Sequence, residues 1–366
     1  MNKPVSKIGL GILLIGLAPL LSVAQERDSS RSRGSFAIYP AFGYQPETKT
    51  QLGVVGIWAL RSKDDSQTAF QRQSTFSPFV LFTFRKQVLT EMNLDYYFSN
   101  GYNLNVSPRF FNFPDFYFGI GNDNDPDVSE SYTNRYVQVE GQFYIPVKSK
   151  VFVGVAFDLH STHLTDKVEG GMLVSNNVIG VNGGNILGLG PAFKFETRNN
   201  VIYPTKGYFI AAQSVFNLLG DFTYNSYTID FRKYFSTKNE KHIFAWQINT
   251  RFSSERDVPF YKLPQLGGDN RLRGIANASL YRDRQAMFMQ LEYRRHLVWR
   301  LGMVAFAGAG DVANKIDDFE ISEFKYVMGT GLRFAVLPEQ KLNLRFDFGL
   351  AKDGQTGFYI GMREAF

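Results

Sequence analysis

KLNLRFDFGLA, residues Lys341–Ala351, alternates without a slip. Leu342, Leu344, Phe346, Phe348 and Leu350 fall on one face of an extended chain, and Asn343, Arg345 and Asp347 fall on the other. A period of two is the mark of a strand. His242–Phe252 repeats it, with Phe244, Trp246, Ile248 and Phe252 against Gln247, Asn249 and Arg251. In Met287–His296, Met287, Met289, Leu291 and Tyr293 oppose Gln290, Glu292, Arg294 and His296. Val88–Ser99 sets Val88, Met92, Leu94, Tyr96 and Phe98 against Glu91, Asn93 and Asp95. The apolar face is rich in aromatic residues and Met, and the other face carries charges of both signs. A lipid-facing band around a wet, charged interior gives this pattern. In lipid, an all-strand chain satisfies every backbone group only as a closed barrel.

Composition agrees with an all-β chain. The 366 residues include 35 Phe, 19 Tyr, 3 Trp and 33 Gly, with 20% charged. Disordered chains carry few aromatics and a high net charge, whereas this one is only +6. The absence of Cys excludes disulfides, thiolate metal sites and cysteine nucleophiles. A single apolar stretch approaches helical spanning length, and it lies at the N-terminus. There, Lys3 and Lys7 precede the apolar run Ile8–Leu21, and Ser22-Val23-Ala24 supplies small residues. This reads as a signal peptide over 1–24, cleaved after Ala24. A short periplasmic leader, 25–35, then precedes an outer-membrane barrel over 36–366.

Sixteen strands are expected: Phe36–Gly43, Gln51–Lys63, Gln71–Arg85, Gln87–Ser99, Tyr102–Asn112, Arg135–Ile145, Val151–Ser161 and Gly188–Arg198 in the first half. The second half holds Tyr208–Leu218, Tyr224–Phe235, His242–Phe252, Met287–His296, Leu301–Asp311, Lys325–Ala335, Lys341–Ala351 and Gly357–Phe366. With both termini in the periplasm, even-numbered links should be short and odd ones can be long. Pro146–Lys150, Ser236–Lys241, Leu297–Arg300 and Val336–Gln340 fall on the periplasmic side. Phe113–Asn134, Thr162–Leu187, Ser253–Ala286 and Val312–Phe324 fall outside. Pro78, Pro108 and Pro191 interrupt expected strands and read as bulges or boundary errors.

The longest link, Ser253–Ala286, contains LGGDNRLRGI, Leu266–Ile275. Its apolar Leu263, Leu266, Leu272 and Ile275 suit a segment folded back into the barrel. An Arg there could fork onto inward carboxylates, and Glu292 on the next strand is the natural partner. The other reading is a solvated outer loop with incidental arginines, and physics alone leaves the two even.

At these residues the chain resembles the Outer Membrane Protein 85 superfamily, sixteen-stranded barrels of the bacterial surface antigen type. Leu272-Arg273-Gly274-Ile275 is similar to the family's [V/I/L]-R-G-[F/Y/I] loop signature. Glu196-Thr197-Arg198-Asn199 with Pro204 and Gly207 resembles its D-x-R-(N)…P-x-x-G segment. Glu292-Tyr293-Arg294 resembles E-[Y/F]-R, and Gly329, Gly331 and Arg333 resemble G-x-G-x-R. Arg345–Gly349 resembles R-x-D-[Y/F]-G, and the ending GFYIGMREAF resembles an assembly signal. The resemblance implies protein or lipid assembly or translocation in the outer membrane, with outer-membrane protein clients. Arg273, flanked by Leu272, Gly274 and Ile275, would anchor the loop in the lumen on Glu292, with Arg294 beside it. Gly308 stands where the family carries an Asp, so Asp311 is the second candidate partner. The stretch ahead of the barrel has no room for polypeptide-transport-associated domains, so a separate periplasmic partner would replace them.

Closure would pair the first and last strands. The resemblance implies a lateral gate at that seam, where Pro40, Gly43, Gly361 and Phe366 lie. Pro removes a donor and Gly weakens strand order. His160 and His163 fall on opposite faces of a strand, which argues against a metal site. Asp123, Asp125 and Asp127 imitate the start of a calcium loop, but Val128 stands where Gly is required. No nucleophile elbow is present, and no cofactor, metal, nucleic acid or enzymatic activity is expected. Outer-membrane lipid is the constant partner, and homo-oligomers are open. The alternative function is a passive channel or structural barrel that keeps the fold alone.

Overall fold

Each alternating segment pairs with the next in a computed structural model of the chain. The described residues are 35–366 except 46–48, 61–73, 85, 255–256, 276 and 339–340. The chain divides into two units, Met1–Arg33 and Gly34–Phe366. The expected signal peptide, 1–24, and nearly all of the expected leader, 25–35, lie outside the described residues. No described helix is long and apolar enough to cross a membrane, which says nothing of crossing by strands.

The strands are β1 (Ser35–Gln45), β2 (Lys49–Leu60), β3 (Ser74–Thr83), β4 (Val88–Tyr97), β5 (Asn103–Tyr117), β6 (Glu130–Lys148), β7 (Val151–Thr165) and β8 (Gly184–Glu196). They continue as β9 (Gly207–Gly220), β10 (Tyr224–Ser236), β11 (His242–Ser253), β12 (Gln285–Val298), β13 (Leu301–Ala313), β14 (Lys325–Leu337), β15 (Leu342–Ala351) and β16 (Thr356–Met362). All belong to one antiparallel sheet, in chain order. The turns 149–150, 237–241, 299–300 and 338–341 share one end of the sheet, and 118–129, 166–183, 254–284 and 314–324 share the other.

The sheet is inverted relative to a water-soluble protein. Gln138, Lys194, Asp230, Gln247, Glu292, Arg294, Arg345 and Asp347 are buried on one face. Val54, Phe82, Val153, Leu189, Ile229, Phe244, Leu291, Met328 and Phe348 are exposed on the other. So large a continuous apolar surface is foreign to a monomer in water and suits acyl chains.

Three expectations are corrected. First, Pro78, Pro108 and Pro191 are neither bulges nor boundaries. Pro78 pairs with Met92, while the β2–β3 ladder skips from Val55↔Phe79 to Trp58↔Phe76 in unchanged register. Pro108 likewise pairs with Val139 and interrupts only the β4 side; Pro191 pairs with Val155 and interrupts only the β9 side. A missing N–H removes bonds toward one neighbour alone, and the side that needs no donor keeps its pairing. Second, strands outrun their alternation toward the long links. β5 and β6 reach Tyr117 and Glu130, and β7 and β8 reach Thr165 and Gly184. Beyond a lipid band the two faces need not differ, so hydrogen bonding continues after the pattern fades.

Third, the last strand does not run to Phe366. β16 stops at Met362, and Arg363 takes a left-handed φ of 69°. Glu364, Ala365 and Phe366 turn onto the polar face and are buried. Glu364 meets Arg333 there, and Phe366 packs beside Tyr234 and Ala245. A carboxylate with a guanidinium to reach and a ring with a hydrophobic niche outweigh one more turn of ladder.

Candidate functional site

The segment 254–284 lies against the polar face of β12 to β16. Leu266, Leu272, Ile275 and Leu280 are 0% exposed. They pack with Phe288 of β12, Val312 of β13, Val327 of β14 and Ala351 of β15. Full burial of each such side chain contributes roughly 1.5–3 kcal/mol, enough to hold a loop that has no ladder. Gly274 has φ +136°, and a Cβ there would sit 3.0 Å from the Leu350 carbonyl carbon. Only Gly lets the loop backbone lie this flat on β15. A Cβ at Gly349 would in turn run into the Arg273 carbonyl.

This approach delivers Arg273, itself 0% exposed, between two strands. Its Nη2 donates to Glu292 Oε2 at 2.6 Å and its Nη1 to Asp347 Oδ2 at 2.6 Å. The guanidinium carbon stands 3.8 Å from the centroid of the Phe306 ring, a cation–π contact in a dry place. The Tyr359 hydroxyl of β16 accepts from the Gly274 N–H at 3.2 Å and donates to the Ile275 carbonyl at 3.1 Å. Loop and sheet are therefore joined by charge, ring and backbone at one point.

The carboxylates are shared. Glu292 also accepts from Arg294 Nε at 2.5 Å, and Asp347 from Arg333 Nη1 at 2.5 Å. Arg333 Nε reaches Glu364 at 2.7 Å, and Arg345 reaches Asp269 of the loop at 3.0 Å. Four guanidinium groups thus interlock with Glu292, Asp347, Glu364 and Asp269. Such a network adds little net stability over an apolar core, but removing one member strands its partners in a low dielectric. Nearer the loop tip, burial and then the Arg251 guanidinium push Arg271 down to about 9.

Of the residues expected from sequence, Leu272, Arg273, Gly274, Ile275 and Glu292 come together. Arg294 shares Glu292 with the loop arginine, and donates to the Phe366 carbonyl at 3.1 Å. Asp311 is not a partner of Arg273. It pairs in register with Met287, whereas Glu292 pairs with Phe306, so it sits too far along the strand. Asp311 accepts instead from Asn122 at 3.0 Å. Pro40 and Gly43 lie in β1 and Gly361 in β16, but Phe366 lies beside β10 and is no part of the seam. The Cα atoms of β1 and β16 come within 8 Å of each other, yet no ladder joins these strands among the described residues.

Asp347, Arg333, Glu364 and Tyr359 were not foreseen as parts of the clamp. Asp347 had a legible signal, since it stands on the polar face of the quoted stretch with Gly349 two residues on. Glu364 and Tyr359 carry no such signal, because the chain's inward turn at Arg363 and the loop's depth are tertiary facts.

A family model described as the Omp85 superfamily domain matches residues 74–366. The chain belongs to the Omp85 superfamily. Among solved structures, BamA from Haemophilus ducreyi lacking POTRA domains 1–3 is similar at 13% identity and a TM-score of 0.60, covering 91% of this chain and 70% of that one. CdiB from Acinetobacter baumannii is similar at 12% identity and a TM-score of 0.57, covering 90% of this chain and 60% of that one. CdiB from Escherichia coli is similar at 10% identity and a TM-score of 0.53, over 88% and 62%. At these identities the likeness shows the fold. No curated protein matches the chain by sequence. As an Omp85 protein it resides in the bacterial outer membrane.

Proposed function

We propose that the sheet closes on itself as a sixteen-stranded barrel spanning the outer membrane, with the 254–284 segment in its lumen. The barrel works in the assembly or translocation of outer-membrane proteins or lipid. Arg273 locks the lumenal segment, Glu292 and Asp347 receive it, and the junction of β1 with β16 is the gate. The carrying observation is the buried fork of Arg273 onto Glu292 and Asp347. Three charges removed from water for one loop contact are hard to account for in a passive wall, and suit a plug held in a defined state. That no ladder joins β1 to β16 among the described residues supports the gate, because an unpaired edge can template an incoming strand.

The test is reconstitution into liposomes with an unfolded outer-membrane barrel as client, with and without chains that co-purify from native membranes. Faster client folding than in protein-free liposomes, lost in Arg273→Ala, is the expected result. Equal folding rates in all liposomes, together with steady conductance of the unmutated protein, would replace this reading with a passive channel.

A further inference from the structure

Residues of the turns 237–241 and 299–300, with Pro338 and Lys341, line a half-open cavity of about 370 Å³ at one end of the sheet. Its lining is strongly cationic. Lys241, Arg295, Arg300 and Lys341 stand around it, with Arg294 and Arg333 behind. Arg294 and Arg333 are occupied by Glu292, Asp347 and Glu364. Glu240 is the one acid among the described lining residues, and Lys206 and Lys341 already flank it at 3.6 and 3.4 Å. Lys241, Arg295 and Arg300 have no carboxylate within 4 Å among the described residues.

Beside these cations runs an apolar ledge. Leu297, Val298 and Leu301 are exposed, and Trp299 is 73% exposed. Trp299 holds its backbone at φ 52°, a conformation that disfavours a bulky side chain. Its ring meets Phe334 edge-on at 5.9 Å, and the Arg300 guanidinium lies 5.5 Å from the indole. The ledge continues the apolar face formed by Leu291 and Leu332. An indole at the polar boundary of a lipid-facing surface marks the headgroup level.

We propose that this end of the sheet binds an anionic glycerophospholipid. Arg295, Arg300 and Lys241 hold the headgroup phosphate, and Leu297, Val298 and Trp299 lie along the acyl chains. The inference rests on the membrane-spanning barrel described above, because only there do bilayer headgroups meet these turns. A free anion would use the cations and ignore the ledge. An acidic protein segment would not need a ledge continuous with the lipid-facing surface.

The experiment is native mass spectrometry of the detergent-purified full chain with equal phosphatidylglycerol and phosphatidylcholine. Each cation near a headgroup contributes roughly fivefold. Phosphatidylglycerol retention about a hundredfold above phosphatidylcholine is expected, falling to about fivefold in Arg295→Gln/Arg300→Gln, where Lys241 remains. Trp299→Ala should lower retention of both lipids. Equal retention of the two lipids by the unmutated protein would overturn the proposal, as would unchanged preference in the double variant. Displacement by millimolar inorganic phosphate, or by a poly-glutamate peptide, would also overturn it, in favour of a simple anion site or a protein partner. Heat-modifiable gel mobility is read on every sample. Its absence in the unmutated protein sinks the barrel itself, whereas its presence with no lipid preference sinks only the lipid site. Should the double variant lose that mobility, Lys241→Gln, which lies in a turn, takes its place.

Discussion

Two parts of one sheet are built in opposite ways. From β12 to β15 every strand is paired on both sides, and the polar face is covered by the loop and tied through buried arginines. Between β16 and β1 the strands come close, but no ladder joins them among the described residues. Ladders run through every consecutive pair from β1 to β16, and ion pairs occur on other strands too, but the buried carboxylates shared among several guanidinium groups gather under the loop. Rigidity in one arc leaves freedom at the junction, and an outer-membrane protein that handles other chains would need both.

The largest contrast should appear in amide exchange. The β16 amides that do not face β15 are expected to exchange at least about 100-fold faster than those of β13, since local opening there breaks no ladder. Equal protection would erase the comparison. Next comes Arg273→Ala. It leaves Glu292 and Asp347 each short of a guanidinium at a dry site, a loss of about 3–5 kcal/mol in loop attachment. Protease cutting within 254–284 should follow, while the β-sheet circular dichroism stays unchanged.

A smaller effect is expected from Gly308→Asp, which restores the residue typical of the family. A Cβ there would lie 2.7 Å from Leu272 Cδ2 and 2.9 Å from the Met289 carbonyl oxygen, so overpacking of about 1–3 kcal/mol should loosen the loop. A gain in protease resistance would mean that Asp347 leaves the arginine under-satisfied. Tyr359→Phe removes the two hydrogen bonds to the loop backbone and should cost about 1–2 kcal/mol, with partial cutting by the same protease.

The sheet was readable because its faces meet different solvents. Phe348 and Leu350 against Arg345 and Asp347 set strand, spacing and sidedness at once. The prolines misled because sequence does not say on which side of a strand a donor is dispensable. The loop arginine and Glu292 were readable from residue type and spacing. Asp347 and Asp311 both suit the sequence as partners of the loop arginine, because the count along a strand gives the face but not the depth. Glu364 and Phe366 were misplaced because nothing in GFYIGMREAF announces that the backbone reverses at Arg363.

Planar-bilayer recording of the unmutated protein beside Arg273→Ala probes the clamp itself. Rare, brief openings in the first and long, frequent openings in the second are expected if the arginine holds the segment across the pore. Indistinguishable traces, whether both shut or both steadily open, would mean that the loop is not held in place by Arg273.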